Sequence, residues 1–355
     1  MSRIVVTGAT GRLGANVVKR LSQAGHEIVA CLLRGDGQEP KLDGLAIQKA
    51  YVDILDTDGM ARAIRGADAV VHSAAVMENV MNKMAPGKFF DINVKGAFNV
   101  LEGVRQSGKP TRLICLSSTS VYDVFTSSRK PIKENQERKP LSLYGMNKIL
   151  IEEQVRQYGW QYDVPFTLIR PNYIVAGAEV LDVFTCGTVL NLLSEFALQK
   201  KTQLYTPKAP TGWLAAKGTL EAHKNDLCIP RCPGGKSWRW HMTDVRDTVR
   251  LIEICLTHDH AVGQTFNVAA ADPCDWPAVV SYIAERTRRN IVEVKIPNLW
   301  QFCFDQSATK EKLGFVPKYD HKAVIDTAVA IKNGEDVGII PGEIAPLAFE
   351  TKGSS

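Results

Sequence analysis

The sequence predicts an α/β protein of the Rossmann type, a doubly wound parallel sheet with a smaller, discontinuous α/β substrate-binding lobe. Three observations support this fold. Strand-like and helix-like hydrophobic patterns alternate over the first 170 residues. A glycine-rich loop joins the first strand to the first helix, and small or polar residues follow the later strands, where such sheets bind ligands. With 355 residues, 45% of them hydrophobic, the chain is long enough for about two domains.

The strands are predicted from short apolar, β-branched runs, and the helices from apolar residues three and four positions apart. In the first half, the predicted strands are 3–7, 28–33, 46–52, 69–72, 112–116 and 166–169, and the predicted helices are 13–24, 57–64, 87–106 and 143–158. In the second half, the predicted helices are 242–257, 276–287 and 321–332, and the predicted strand is 265–268.

Two interleaved domains are predicted. We expect residues 1–171 and 241–271 to bind the dinucleotide, and residues 172–240 and 272–335 to form the substrate-binding lobe. The stretch from Tyr205 to Trp240 shows no clear period, which is typical of a functional loop or lid. Residues 336–355 are predicted to be an irregular tail.

Composition argues against several classes of protein. The net charge of +5 is modest, and no basic stripe with interleaved aromatic residues indicates nucleic-acid binding. No apolar run is long enough for a secretory leader or a membrane span, so we expect a cytoplasmic protein without a membrane partner. The eight cysteines are too sparse for a disulfide framework. Cys228 and Cys232 lack further ligands at a suitable spacing, so no metal is expected.

The loop after the first strand predicts a dinucleotide site. Gly8, Gly11 and Gly14 are three residues apart, which allows a tight turn and a close approach of the backbone to a pyrophosphate. The helix that follows would supply N–H donors. The residues assigned to cofactor binding here are Gly8, Thr10, Gly11, Arg12, Leu13 and Gly14.

The end of the second strand favours NADP, with NAD as the alternative. Selectivity for NAD is usually indicated by an acidic residue at this point, and selectivity for NADP by an arginine that binds the 2′-phosphate. The strand ends in Leu32-Leu33-Arg34, and Arg12 could contact the same phosphate. Asp36 could instead contact a ribose.

Residues after the third and fourth strands complete the predicted cofactor site. Asp53 and Ile54 are placed to contact the adenine, although Asp53 could equally be a helix cap. Ser73, Ala74 and Ala75 are small enough for the backbone to pass beside the cofactor.

Tyr144 and Lys148 are the predicted centre of the chemistry. They are four residues apart on a predicted helix and therefore lie on one face. A nearby ammonium stabilises a phenolate, which suits Tyr144 to proton transfer at an alcohol or carbonyl. Lys148 could also hold the nicotinamide ribose. A hydroxyl from Ser117 to Ser120, at the end of the fifth strand, could orient the substrate oxygen.

In these motifs the sequence resembles the extended short-chain dehydrogenase/reductases, also called the NAD-dependent epimerase/dehydratase family. The matching stretches are the glycine loop, Asp53, 72–75, 93–96, 117–122, 144–148, 170–171 and 241–245. The resemblance implies that Tyr144 is the general acid/base, that Lys148 is its partner and that Ser118 is the active-site hydroxyl, with Ser117 as the alternative. It also implies that Asn93 holds the catalytic helix or a proton-relay water, and that Pro171 lies at the cofactor. Family members often form homodimers through the helices at about 88–106 and 144–158.

The sequence departs from the family in the predicted substrate site, which comprises Thr119, Ser120 and Asn172. Dehydratases of the family carry an Asp-Glu pair where this chain has Thr119 and Ser120, which lack a usable acid or base. Dehydration is therefore disfavoured, and 4-epimerisation remains open. Asn172 comes one residue earlier than in nucleotide-sugar enzymes, and Ser237 replaces their arginine. Trp213, Trp238 and Trp240 could line a pocket, but core packing is the better interpretation of each.

The predicted function is that of an NAD(P)-dependent oxidoreductase acting on a hydroxyl or carbonyl of a small sugar, polyol or related alcohol. The alternative is a nucleotide-sugar 4-epimerase that retains NAD. A different class, a non-catalytic dinucleotide-sensing protein, is disfavoured because Ser118, Tyr144 and Lys148 are all present.

Overall fold

The protein is built around a parallel sheet, seen in a computed structural model that describes residues 1–77, 84–124, 131–196 and 209–342. The strands are β1 (Arg3–Thr7), β2 (Glu27–Leu32), β3 (Gln48–Tyr51), β4 (Ala69–His72), β5 (Arg112–Leu116), β6 (Phe166–Pro171), β7 (Ile174–Val175), β8 (Leu227–Arg231), β9 (Arg239–Trp240), β10 (Thr243–Asp244), β11 (Gln264–Val268), β12 (Cys274–Asp275) and β13 (Ile291–Lys295). The central sheet has seven strands in the order β11-β6-β5-β4-β1-β2-β3, all parallel.

Helices cover both faces of this sheet. They are α1 (Arg12–Gln23), α2 (Thr57–Ile64), α3 (Pro86–Phe90, continued by a π-helical turn Asp91–Lys95 and Gly96–Arg105), α4 (Leu143–Tyr162), α5 (Val180–Val183), α6 (Cys186–Phe196), α7 (Ala209–Ala222), α8 (Val245–Thr257), α9 (Trp276–Thr287), α10 (Ser307–Leu313) and α11 (His321–Lys332). Helices α1 and α8 pack on one face, and α2, α3 and α4 pack on the other. The predicted doubly wound fold is therefore confirmed. None of the described helices is long and apolar enough to cross a membrane.

The two largest differences between predicted and observed boundaries are at helices α8 and α4, and each has an identifiable reason. Helix α8 begins at Val245 rather than 242, because Asp244 is its N-cap and accepts a hydrogen bond from the Arg246 N–H at 2.8 Å. Helix α4 continues to Tyr162 and ends at Asp163, whose φ of 53° is left-handed.

The prediction of a loop or lid over residues 205–240 is wrong for much of the part of this stretch that the structure describes. Helix α7 and strand β8 lie in this stretch, and β8 pairs in parallel with β13, which is more than 50 residues away in the sequence. Pro230 interrupts the apolar pattern of β8, which is an edge strand of a two-stranded sheet where proline is tolerated. Residues 197–208 lie outside the described chain.

The second group of elements packs around an aromatic core. Trp238 and Trp276 are fully buried, and their rings meet edge to face with centroids 5.3 Å apart. Trp238 makes a similar contact with Trp300 at 5.4 Å, and Trp240 is 8% exposed. Core packing is therefore the role of Trp238 and Trp240, while the side chain of Trp213 lies outside those described.

The C-terminal segment before residue 343 lies against α1. The Asn16 side chain exchanges hydrogen bonds with the backbone of Ile340, at 2.8 Å in both directions. The Arg12 Nε donates to the Gly342 carbonyl at 3.0 Å. Residues 336–342 contain no helix or strand, and 343–355 lie outside the described chain.

Gly14, in the first turn of α1, lies so close to the glycine loop that no side chain would fit there. A Cβ on Gly14 would lie 2.0 Å from the Gly8 carbonyl oxygen. We expect Gly14→Ala to displace this turn, to reduce stability by about 1–3 kcal/mol and to weaken NADH binding at least tenfold, on the order of 1.4 kcal/mol or more. Urea denaturation and NADH fluorescence titration measure the two effects.

Gly218→Ala is the matched control, because Gly218 lies on the exposed side of α7 with no atom near its added Cβ. This substitution should stabilise the protein by up to about 1 kcal/mol and leave NADH binding unchanged. Equal NADH affinity in both variants would refute the steric argument.

Candidate active site

The parallel register places the ends of four strands at one edge of the sheet. Thr7 of β1 lies beside His72 of β4, and His72 lies beside Cys115 of β5. Leu116 at the end of β5 lies beside Ile169 of β6. The glycine loop and residues 73–75, 117–120 and 170–172 therefore meet at the edge where open α/β sheets bind ligands.

The glycine loop forms a cradle with the chain after β4. Gly8 has a φ of +66°, and a Cβ there would lie 2.7 Å from the Cα of Ala74. The Ser73 hydroxyl donates to the Thr7 carbonyl at 2.7 Å, which fixes the two segments against each other. No described side chain caps α1, so its first N–H groups can bind an anion. These features fit a dinucleotide pyrophosphate.

The loop after β2 closes one side of this cradle. The Thr10 hydroxyl donates to the Asp36 carboxylate at 2.6 Å. The Arg34 guanidinium lies over the Tyr51 ring, 5.1 Å from its centroid. Arg34 and Asp36 thus lie together at the tip of β2, where the adenosine ribose is recognised in this type of fold.

Arg12 does not extend toward Arg34, contrary to the role expected for it at a 2′-phosphate. Its guanidinium forms an ion pair with Glu179 at 3.0 Å and also donates to the Ile174 carbonyl. Both charged side chains are at most 10% exposed. Burial lowers the pKa of Arg12, and the nearby Glu179 charge opposes this shift. Because the guanidinium is paired with Glu179, the backbone N–H is the group of Arg12 that suits a pyrophosphate.

The residues predicted near the adenine lie after β3. Asp53 is exposed, and its carboxylate accepts a hydrogen bond from the Leu55 N–H at 2.9 Å. The N-cap of α2 is Asp56, so Asp53 is not the helix cap. Ile54 packs against Gly96 of α3, where a Cβ would lie 3.0 Å from its side chain.

His72, the last residue of β4, contacts the end of β1 just before the glycine loop. Its Nδ1 is 2.8 Å from the Thr7 hydroxyl, and the side chain is fully buried. Burial, together with the charge of Lys148, lowers the pKa of His72 to about 3. His72 is therefore neutral near pH 7 and places no second positive charge beside Lys148.

Helix α4 begins directly against the active-site turn. Ser142 is its N-cap and accepts from the Gly145 N–H at 3.2 Å. A Cβ on Gly145 would lie 2.2 Å from the Ser120 carbonyl oxygen, so only glycine allows this approach. The contact brings Tyr144, the preceding residue, next to the turn that carries Ser118.

Lys148 is held one turn further along α4. Its Nζ donates to the Leu116 carbonyl at 2.7 Å and lies 5.7 Å from the centroid of the Tyr144 ring. The side chain is buried, at 2% exposure. The two side chains therefore lie on one face of α4, with the buried ammonium beside the Tyr144 ring.

Ser118 lies in the turn after β5. Its hydroxyl oxygen accepts from the Ser120 N–H at 3.1 Å, and the same group donates to the Ser120 hydroxyl at 3.1 Å. Thr119 and Asn172, predicted to bind substrate, instead bind each other, with the Thr119 hydroxyl 3.0 Å from the Asn172 Oδ1. The Asn172 Nδ2 donates to the His241 carbonyl. These two side chains tie the turn after β5 to the chain after β6.

Asn93, which the family resemblance assigns to holding the catalytic helix or a proton-relay water, ties α3 to the chain after β4. Its amide exchanges two hydrogen bonds with the backbone of Val76, at 2.8 and 3.0 Å. The residue lies in the π-helical turn of α3. It therefore fixes the chain after β4 against this turn, which also packs against α4.

A buried polar network beneath the site was not predicted. Glu152 of α4 accepts hydrogen bonds from Ser117 and, through both oxygens, from Arg170. Arg170 also donates to the Tyr122 hydroxyl, 2.5 Å away. Burial raises the pKa of Tyr122 to about 12 despite the charge of Arg170. The signal in the sequence was the position of Glu152, four residues after Lys148 and so on the same helix face.

No group of three or more His, Cys, Asp or Glu residues in the described chain is arranged to hold a metal ion. Cys232 donates to the Asn298 carbonyl at 3.0 Å, and Cys228 is fully buried in β8.

The site and the fold both point to a known family. A sequence profile of the NAD-dependent epimerase/dehydratase family matches residues 4–269. The chain belongs to this family. Its members are enzymes of the short-chain dehydrogenase/reductase type, so the resemblance seen in the motifs is confirmed.

Individual relatives match half of this chain or less. A UDP-glucose 4-epimerase from Streptomyces lividans is 28% identical over 181 residues, which cover 50% of this chain and 53% of that protein. Sterol demethylase protein B from Methylococcus capsulatus is 35% identical over 104 residues, 29% of this chain and 31% of that protein. The chain thus spans about half or less of the length of these relatives.

Solved structures of the family extend the similarity in fold to nearly the whole chain. A short-chain dehydrogenase/reductase superfamily protein from Agrobacterium tumefaciens, crystallised with NAD, superimposes with a TM-score of 0.76 at 24% identity. The alignment covers 94% of this chain and 97% of that one.

Tyr144→Phe tests the assignment of the general base. We expect turnover to fall by about 100-fold or more, because the proton acceptor is lost, while NADH affinity stays within about twofold, or 0.4 kcal/mol. Steady-state assays and fluorescence titration measure the two quantities. Tyr162→Phe is the control, since Tyr162 is on the same helix and 43% exposed. Equal turnover in both variants would exclude Tyr144 as the base.

Proposed function

We propose that the protein oxidises a secondary hydroxyl of a nucleotide sugar and returns the hydride to the other face, as a 4-epimerase that retains NAD. The observation that carries this proposal is the placement of Ser118, Tyr144 and Lys148 at the ligand edge, without an acid at Thr119 or Ser120. Family membership and the similarity to UDP-glucose 4-epimerases support it.

In this mechanism, side chains of the protein bind the substrate oxygen and transfer the proton of its hydroxyl group. Bound NAD supplies the hydride acceptor at the edge of the sheet. The Tyr144 phenolate takes the hydroxyl proton as the C–H bond breaks, and it returns that proton when the carbonyl is reduced. Ser118 donates a hydrogen bond to the substrate oxygen, and Lys148 stabilises the phenolate. Elimination of water would need an acid next to Ser118, and the hydroxyls of Thr119 and Ser120 cannot serve as one.

NAD is the cofactor we propose, rather than the NADP favoured by the sequence. The family is NAD-dependent, and the structurally similar Agrobacterium tumefaciens protein was crystallised with NAD. Arg12 is paired with Glu179, which leaves Arg34 as the arginine at the tip of β2. Asp36, bonded to Thr10, lies beside it as the acceptor suited to a ribose hydroxyl.

A dehydrogenase that acts on a smaller alcohol is the second candidate. It is favoured by Ser237, which is buried and donates to the Pro230 carbonyl at 2.6 Å, where nucleotide-sugar enzymes carry an arginine. Asn172 is likewise bonded within the protein. In both candidates we assign substrate binding to the lobe formed by residues 172–240 and 272–335.

One assay separates these functions. The protein is incubated with UDP-galactose, products are followed by ion-exchange chromatography, and absorbance is read at 340 nm. Appearance of UDP-glucose with no net absorbance change supports the epimerase. A steady rise at 340 nm with added NAD and a panel of sugars and polyols supports the dehydrogenase and refutes the epimerase. No turnover with any of these compounds, with NADH still bound, would favour a dinucleotide-sensing protein.

We also propose that the protein forms a homodimer through α3 and α4. Large apolar side chains are exposed on these helices: Phe90, Phe98, Leu143, Met146, Leu150 and Trp160. Leu143, Met146 and Leu150 recur at helical spacing, so they form one apolar strip on α4. An exposed apolar strip of this kind favours burial against a second copy.

Leu150→Glu should convert the dimer into a monomer, because it would place a charge in the apolar interface. Light scattering after size-exclusion chromatography gives the mass. Val316→Glu is the control, since Val316 is 47% exposed and lies outside both helices. A wild-type monomer, or a dimer unaffected by Leu150→Glu, would contradict this interface.

A further inference from the structure

Glu152 is a fully buried carboxylate that the mechanism above does not use. Its side chain has no exposed surface, and four side chains donate to it. Ser117 Oγ lies 2.6 Å away, and Arg170 binds through Nε at 2.7 Å and Nη2 at 2.6 Å. Arg138 and Arg156 complete the set at 3.2 and 3.1 Å. A buried charge is retained only when it is paired and hydrogen-bonded this fully.

The first contact ties Glu152 to the active-site turn. Lys148 and Glu152 occupy successive turns of one face of α4. Lys148 binds the Leu116 carbonyl, and Glu152 binds the hydroxyl of the next residue, Ser117. The residue after Ser117 is Ser118. The last residue of β5 and the residue that follows it are thus anchored to the helix that carries Tyr144, just before Ser118.

The second contact ties Glu152 to β6 and to the end of the same turn. Arg170 binds both carboxylate oxygens and also donates to the Tyr122 hydroxyl and to the Glu134 carbonyl. Tyr122 is where the turn that begins at Ser118 ends. The carboxylate therefore holds the turn at both ends, at Ser117 directly and at Tyr122 through Arg170.

We propose that Glu152 is a positioning residue, which sets the distance between the Ser118 hydroxyl and the Tyr144–Lys148 pair by holding the 117–122 turn against α4. Its catalytic consequence rests on the proposed function, because the turn matters for turnover only if Ser118 contacts substrate. The mechanical part does not depend on the substrate.

Hydrogen–deuterium exchange tests the mechanical part in the full-length protein with NADH bound. We expect Glu152→Gln to speed exchange of the amides of residues 117–122 by about tenfold or more, with β1 and α1 unchanged. Glu153→Gln is the matched control, because Glu153 pairs with the same Arg138 and Arg156 but is 53% exposed. It should leave the turn unchanged.

Ser117→Ala provides a second variant if Glu152→Gln does not fold. It removes the hydroxyl that joins the turn to the carboxylate and leaves the Arg170 pair intact. We expect it to speed exchange in 117–122 locally. If Glu152→Gln speeds amide exchange uniformly across the sheet and Ser117→Ala leaves exchange unchanged, the role of Glu152 is purely structural. That result would overturn the proposal.

The catalytic part is measured with the substrate that the wild type turns over. Both variants should lower kcat by about tenfold or more, with NADH affinity within about twofold. If exchange in residues 117–122 is faster but kcat is unchanged, the position of the turn does not affect catalysis. That result would overturn the catalytic part of the proposal. Absence of wild-type turnover would refute the proposed function instead, and the exchange result would stand by itself.

Discussion

Strands β5 and β6 both end against one face of helix α4, and the geometry of the site depends on this contact. Lys148 and Glu152 are four residues apart, so the 3.6-residue period of the helix directs both toward the sheet. Each is buried, and each meets hydrogen-bonding groups there. An unpaired charge at either position would cost several kcal/mol. The helix therefore has few alternative placements, and Tyr144 is fixed with it.

The cofactor side is fixed by a different constraint, the absence of side chains. Gly8, Gly14 and Gly145 lie where chain segments approach so closely that a Cβ would overlap a backbone atom. Two of these contacts join the glycine loop to α1 and to the chain after β4, and the third joins α4 to the active-site turn. His72, neutral because of its burial and the charge of Lys148, is held against β1 by its hydrogen bond with Thr7. Cofactor cradle and reactive side chains are thus parts of one packed unit.

Away from the sheet, packing explains residues that looked functional. Trp238 and Trp240 lie in an aromatic core that also contains Trp276 and Trp300. Arg12, in the glycine loop, is paired with Glu179, and its guanidinium reaches Gly342 near the end of the described chain. The family profile covers residues 4–269, whereas Trp276, Trp300 and Gly342 lie beyond it.

Local sequence determined the sheet, most helix boundaries and the Tyr144–Lys148 pair, because hydrophobic period, helix spacing and glycine requirements act over a few residues. The same patterns failed where pairing is distant in sequence. Strand β8 forms because β13 lies beside it, and Pro230 hides its apolar pattern. Thr119 and Asn172 have the chemistry of substrate ligands, but only the folded chain shows that they bind each other. Arg12 and Glu152 are ordinary charged residues in the sequence. Their roles were decided by burial, since a charge removed from water must pair with whatever group the tertiary structure brings to it.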